Sequence, residues 1–229
     1  MSEQQDNAKG TVRRRQRKRG IETRDSILDA AEATFANEGL NASMRRIMAV
    51  AGVNVASIHY HFGTREDLLN AVLERRAESI TQARLVMLDE ALAKPEIQLE
   101  DLVMALYLPY FDPSRTSDPG WMNYVKVRNK LIGEQHSGVS DQVRRHFNTQ
   151  HSRFVDAFRQ VFPDMAEKDV LWRYHCMLSI STQSSAMPYR IIQISKGLCN
   201  PRDFDELINY VIPLVVHMWR APYQPVSAE

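Results

Sequence analysis

Apolar residues along the chain recur at helical rather than strand spacing. Thr23 reads as an N-cap, after which Ile27, Leu28, Ala31 and Phe35 line one helix face. Gly39 stands where a left-handed cap closes that helix. Ser43 caps a second, short helix in which Ile47, Val50 and Ala51 point inward, and Gly52 ends it. In a third short helix Ile58 and Phe62, at i and i+4, mark the buried side, and Gly63 marks the end. Thr64 with Asp67 forms a capping box that opens a long helix over 65–93. The spacing predicts further helices near 98–111, 120–135, 140–161, 167–196 and 203–220. Between them lie breaks such as the run from Asp112 to Gly120, and Pro188 and Pro213 predict kinks within two of the helices. No segment alternates with period two between hairpin turns, so the fold class is all-α.

Four regions follow from this pattern. Residues 1–20 lack apolar periodicity and are expected to be a disordered arm. Residues 21–66 hold three short helices, the last two joined as a helix-turn-helix. Residues 67–222 form a larger helical domain, and 223–229 a flexible tail. Apolar residues at 44% and charged residues at 25% match an ordinary globular chain. No apolar run reaches the ~18–20 residues of a membrane span, and the first residues carry no apolar export signal. Cys176 and Cys199 form no CxxC pair. A cytoplasmic protein without metal or cofactor is expected, with no membrane partner.

The net charge of +1 decides nothing, but its distribution does. Residues 1–66 carry 11 Lys/Arg against 8 Asp/Glu, whereas 67–229 carry 18 against 20. Six of the seven residues from Arg13 to Arg19 are basic, Arg15 and Arg17 among them. Such a block neutralises phosphates, and it fits a solvated tail equally well. With Ile58 and Phe62 buried, the third helix shows Asn54, Ala56, Ser57, Tyr60 and His61 on its other side. Its small residues allow close approach, and its amide, hydroxyl and imidazole groups suit base edges or phosphates. Ser43 and Met44 open the preceding helix, whose first amides suit a phosphate. Arg45 and Arg65 flank the motif as candidate backbone clamps. On pattern alone, a generic amphipathic helix fits as well.

The stretch from Thr23 to Ala31, with Phe35, Ala36 and Gly39, then Ala51-Gly52-Val53, then Tyr60 to Leu69, closely resembles the DNA-binding domain of the TetR family. Met48 departs from a position where a small residue is typical, and His59 from one where Tyr is common. The resemblance implies a homodimer on double-stranded operator DNA with inverted-repeat half-sites spaced by the ~34–36 Å helical repeat. It places Ser43, Met44, Arg45, Asn54, Val55, Ala56, Ser57, His59, Tyr60, His61 and Arg65 at or near DNA. The basic arm becomes an extension toward the minor groove or flanking phosphates.

The resemblance also implies that the C-terminal domain binds a hydrophobic small-molecule effector and dimerises. Residues Leu69 to Arg76 resemble the PsrA-like, fatty-acid-responsive branch. For the dimer surface the sequence offers the stripe Leu207, Ile208, Val211, Leu214, Val215 and Met218, opposite Leu178, Ser179 and Thr182; intramolecular core is the competing reading. The candidate pocket lining comprises Met87, Leu106, Tyr107, Tyr110, Phe111, Trp121, Tyr124, Phe147, Phe154 and Trp172. Arg128, His146 and His175 stand beside it as groups for a carboxylate or hydroxyl. Each of these also fits plain core. An enzyme is disfavoured, because no zinc-helix spacing, phosphate loop or GxSxG elbow is present. A ligand-independent architectural DNA binder leaves about 160 residues after the reading head without a role.

Overall fold

A computed structural model describes residues 2–134, 141–186, 188–200 and 203–222, with the backbone alone at 2–16, 55, 57–58, 132–134, 141–147, 185–186 and 188. Every regular element among the described residues is helical. The first, α1, runs from Ser2 to Glu38 and so overturns the expected disorder of the arm. The arm is rich in Arg, Lys and Gln and lacks proline; these side chains lose little rotamer freedom in a helix. Thr23 is therefore internal, and its hydroxyl donates to the Arg19 carbonyl at 2.8 Å instead of capping. Next come α2 (Met44–Ala51), α3 (Val55–Phe62) and α4 (Arg65–Leu92). Gly39, Gly52 and Gly63 separate them at φ of 101°, 66° and 72°, a region costly for any side chain bearing Cβ.

The described residues divide into two compact units, and α4 contributes to both. The first takes residues 1–75 together with 122–140, not 21–66. Its core gathers Ile27, Leu28, Phe35, Ile47, Leu68, Val72 and Val127. Burying each large apolar side chain is worth about 1.5–3 kcal/mol. Val127 comes from α7 (Trp121–Glu134), whose Lys130 donates to the Ala36 carbonyl at 2.9 Å and so caps the end of α1. Arg75 reaches from α4 to Asp29 at 2.7 Å and to Glu32, which is 1% exposed. Val50, expected to point inward, is exposed. The buried face of α2 is centred on Ile47, Met48 and Ala51, and Val50 lies roughly a third of a turn away from it.

The second unit takes residues 76–121 and 141–229. It holds the end of α4, then α5 (Leu99–Phe111), α6 (Pro113–Thr116), α8 (Asp141–Val161) and α9 (Glu167–Ala186). It continues with α10 (Pro188–Ile194), α11 (Phe204–Glu206), a π-helical turn over Leu207–Val211, and α12 (Ile212–Arg220). Trp219 stacks on Phe158 with centroids 4.1 Å apart, and Arg173 closes the end of α12 by donating to the Trp219 and Ala221 carbonyls at 3.0 and 2.7 Å. Of the helix expected over 167–196, residues 167–186 and 188–194 are helical, and the junction between α9 and α10 lies outside the described residues. Pro213 lies in the first turn of α12, directly after the π turn.

Candidate nucleic-acid interface and effector domain

Local chemistry builds the helix-turn-helix. The Ser43 hydroxyl accepts from the Arg46 amide at 3.2 Å, and Gly52 closes α2 by donating to the Met48 carbonyl. The capping box at α4 is complete: the Thr64 amide and hydroxyl donate to Asp67 Oδ2 at 3.1 and 2.6 Å, and the Asp67 amide donates back to the hydroxyl at 3.1 Å. The Thr64 hydroxyl bond holds the Asp67 carboxyl below the usual carboxylate range. Phe62 is buried beneath the Arg24 guanidinium, 5.2 Å above its ring.

The opposite side of α3 is open. Tyr60 is 85% exposed, and Asn54, Ala56 and His59 are exposed with it. His61 is half-buried, its ring edge-on to Tyr60 at 5.1 Å. His59 Nδ1 lies 2.9 Å from the Gly63 carbonyl oxygen. That oxygen only accepts, so Nδ1 is the donor in this contact. Ser43, Arg45 and Arg17 are exposed, and Met44 is half-buried. The side chains of Arg15, Val55, Ser57 and Ile58 lie outside the described residues.

Arg65 corrects one expectation. Its guanidinium donates to the Leu40 carbonyl at 3.2 Å, Asn41 Oδ1 at 3.1 Å and Glu66 Oε1 at 2.6 Å, so it ties the start of α4 to the α1–α2 turn and is no free clamp. The same bond holds the Glu66 carboxyl below its ordinary range. Arg46 is engaged by Glu38 at 2.7 Å. Arg17, Lys18, Arg19 and Arg45 are exposed, and the solvent-exposed Lys18–Glu22 pair at 3.9 Å restrains its lysine little. Arg24, Lys130 and the Glu32–Arg75 tie escaped the sequence reading; their partners lie far along the chain, beyond any local spacing rule.

The expected pocket residues separate. Leu106, Tyr107, Tyr110, Phe111, Trp121 and Phe154 are buried together in the second unit, with Tyr110 meeting Phe111 and Trp121 at 5.3 and 5.2 Å. Tyr124 and Arg128 belong to the first unit, and Tyr124 is buried there. Met87 lines a cavity of about 520 Å³ with Ala83, Leu108 and Pro109. Trp172 is 60% exposed and His175 is exposed, because the inward face of α9 is Val170, Tyr174, Met177 and Ser181 at helical spacing. The side chains of His146 and Phe147 lie outside the described residues. Sequence reading missed Arg84, a buried cation of α4.

The proposed dimer stripe also divides. Leu207 and Val215 are buried within the chain, whereas Leu214 is 69% exposed. The π turn and Pro213 offset the register, so Ile212, Val215, Val216 and Trp219 face in. Ile208, Val211 and Met218 are half-buried, Leu178 and Thr182 half-buried, and Ser179 exposed. Leu171, Trp172, Tyr210 and Leu214 are the large apolar side chains left open on α9, the π turn and α12.

Among the described residues, no helix is long and apolar enough to cross a membrane. Residues 27–72 match the family described as "Bacterial regulatory proteins, tetR family", and 104–218 match "Tetracyclin repressor-like, C-terminal domain". The chain is 40% identical over 62 residues to the HTH-type transcriptional dual regulator CecR of Shigella flexneri, covering 27% of this chain and 28% of that protein. It is 39% identical over 87 residues to the HTH-type transcriptional repressor NicS of Pseudomonas putida, covering 37% of this chain and 40% of that one. It thus spans well under half of either relative. The fold aligns with the TetR family regulator PfmR of Thermus thermophilus at a TM-score of 0.57 and 17% identity, covering 88% of this chain and 98% of that one.

Proposed function

The chain belongs to the TetR family of transcriptional regulators, and we propose that it is a homodimeric repressor that releases operator DNA when a hydrophobic small molecule binds its C-terminal domain. One observation carries the DNA-binding part: a capped helix-turn-helix whose second helix leaves Asn54, Ala56, His59 and Tyr60 open while Phe62 anchors it. A helix with this open side fits the major groove, where its polar groups meet base edges. Ser43 and Arg45 fix register on the phosphates. The exposed His59 imidazole adds a further hydrogen-bonding group on that side.

Several features support the regulatory part. The buried aromatic cluster of the second unit supplies apolar walls for an effector. The likeness of residues 69–76 to the PsrA-like branch favours an acyl or aromatic ligand. Because α4 runs unbroken from Arg65 to Leu92, a ligand-dependent tilt of its second half is carried into the half that holds the reading head. The open apolar side chains of α9 and α12 support pairing with a second subunit.

A gel shift of the full chain on the intergenic DNA upstream of its gene tests the reading, with DNase footprinting to locate the site. We expect one protected inverted repeat, with protection relieved by a hydrophobic acid. Tighter protection in the presence of ligand would make the protein a ligand-activated binder. Absence of any sequence-selective protection would overturn the assignment.

A further inference from the structure

Exposed apolar side chains of the second unit are densest on α10 and the turn behind it. Ile194 and Leu198 are 73% and 84% exposed, and Tyr189 and Ile191 are exposed with them. Tyr189, Ile191, Ile192 and Ile194 stand on all sides of α10 at helical spacing, and of these only Ile192 is half-buried. A helix that is apolar all round is at rest only when it is covered all round. This exposure is not that of a fraying end. The Gly197 amide closes α10 by donating to the Ile192 carbonyl at 2.8 Å, and the Cys199 amide donates to the Ser195 hydroxyl at 3.0 Å. The open apolar surface is thus carried on a hydrogen-bonded turn.

A receiving surface lies at the other end of α9. Lys168, Leu171, Trp172 and His175 line a shallow groove of about 330 Å³. Because α9 ends at Ala186 and α10 begins at Pro188, α10 starts beside the C-terminal end of α9. Trp172 lies roughly 20 Å back from that end, whereas α10 is only about 10 Å long. The groove is therefore out of reach of the chain's own α10, and a second copy brings the two surfaces together.

Charge selects the arrangement of the two copies. Residues 188–200 carry Arg190 and Lys196 and no acid, whereas the start of α9 carries Asp164, Glu167 and Asp169 around the single Lys168. Arg190, Lys196 and Asp164 are exposed, Asp169 is half-buried, and Glu167 is engaged by Arg159. Two α9 helices packed parallel would set like charges side by side. Packed antiparallel about a two-fold axis, each basic α10 meets the acidic end of the other α9. Ser179, small and exposed between Trp172 and α10, lets the helices approach closely near that axis.

We propose that α10 is a dimerisation arm. In the homodimer, Tyr189, Ile191 and Ile194 of each subunit pack on the partner's Leu171 and Trp172, and Arg190 and Lys196 lie beside the partner's Asp164 and Asp169. The contact occurs twice in each dimer. It rests on the reading of the protein as a homodimer and adds an element to the α9 and α12 faces.

Sedimentation equilibrium of the full-length protein tests it. Ile191→Ser/Ile194→Ser removes exposed apolar surface and leaves the core untouched. Each substitution counts twice, so the dimer dissociation constant should rise about a hundredfold or more, with helical circular dichroism unchanged. Arg190→Glu/Lys196→Glu should weaken dimerisation about tenfold, and adding Asp164→Lys/Asp169→Lys should restore it. In a Cys176→Ser/Cys199→Ser background, a bismaleimide should join Ile194→Cys chains to Lys168→Cys chains across the subunit boundary. A parent that sediments as a monomer overturns the homodimer reading together with the arm. A dimer that ignores the serine substitutions, is not restored by the charge exchange, or fails to cross-link overturns the arm alone. Parent protein that binds phosphatidylglycerol vesicles through Ile191 and Ile194, with an unchanged dimer constant in the serine variant, assigns α10 to a lipid surface instead.

Discussion

Arg65 and Arg45 carry the same charge near the same motif, yet they stand in different surroundings. Arg65 bonds to Leu40, Asn41 and Glu66, whereas Arg45 is exposed. Arg45→Ala should weaken operator binding and lower the salt slope by about one. Arg65→Ala should weaken binding and stability together and leave the slope unchanged. Salt titration of operator affinity, beside urea unfolding, separates the two. Thr64→Ala removes the capping box and should cost about 1 kcal/mol in urea unfolding. Because the Asp67 carboxyl is depressed in the folded chain, its stabilisation is present above the unfolded carboxylate pKa and fades as pH falls through the folded one. The stability difference between Thr64→Ala and the parent should therefore shrink as unfolding is followed from about pH 6 toward pH 2. The caps at Ser43, Gly52, Gly63 and Thr64 were legible in the sequence because capping is decided within four residues. The Arg65–Leu40 and Arg75–Glu32 contacts were not, since no local pattern says which distant turn a long side chain will reach.

At the scale of elements, the boundaries of α2, α3, α4 and α5 follow the apolar period closely, as do those of the helical segment over 204–220, while the N-terminal arm does not. Composition made the arm read as disordered, but its arginines, lysines and glutamines are also good helix formers. Pro213 was visible in the sequence; what the sequence hid was that proline fits the first turn of a helix as readily as it bends one. The π turn before α12 left no mark at all, and it decides which half of the apolar stripe is core. As a helix, α1 carries Arg17, Lys18 and Arg19 outward on a regular scaffold. Deleting residues 1–20 should flatten the salt dependence of operator binding by about 0.9 in slope for each phosphate that the arm neutralises. Preference between operator and mutated operator should survive, because α3 is untouched. A deletion that abolishes this preference would mean that the arm reads sequence.

For the whole molecule, the proposed function depends on two reading heads held at one spacing, so the dimer contact should control DNA binding from a distance. Leu214 and Val215 are neighbours in the chain with opposite surroundings: the first is largely exposed and the second fully buried. A charge at position 214 costs a lone subunit almost nothing, but at a dimer face it is desolvated without a partner. Leu214→Glu should therefore leave a folded chain that sediments as a monomer, with operator affinity reduced far more than half-site affinity. Val215→Glu should instead unfold the chain, because it places an unpaired carboxylate beside Trp219 and Val216 in the core. Analytical ultracentrifugation and thermal melting distinguish the outcomes. A complementary change belongs on the DNA: inserting about five base pairs between the half-sites turns the second groove to the opposite side of the duplex. The parent dimer should lose its advantage over a single half-site on that operator, while the Leu214→Glu monomer should bind the parent and expanded operators alike. If the monomer still favoured the parent spacing, some contact other than the α9 and α12 faces would have to hold the two heads together.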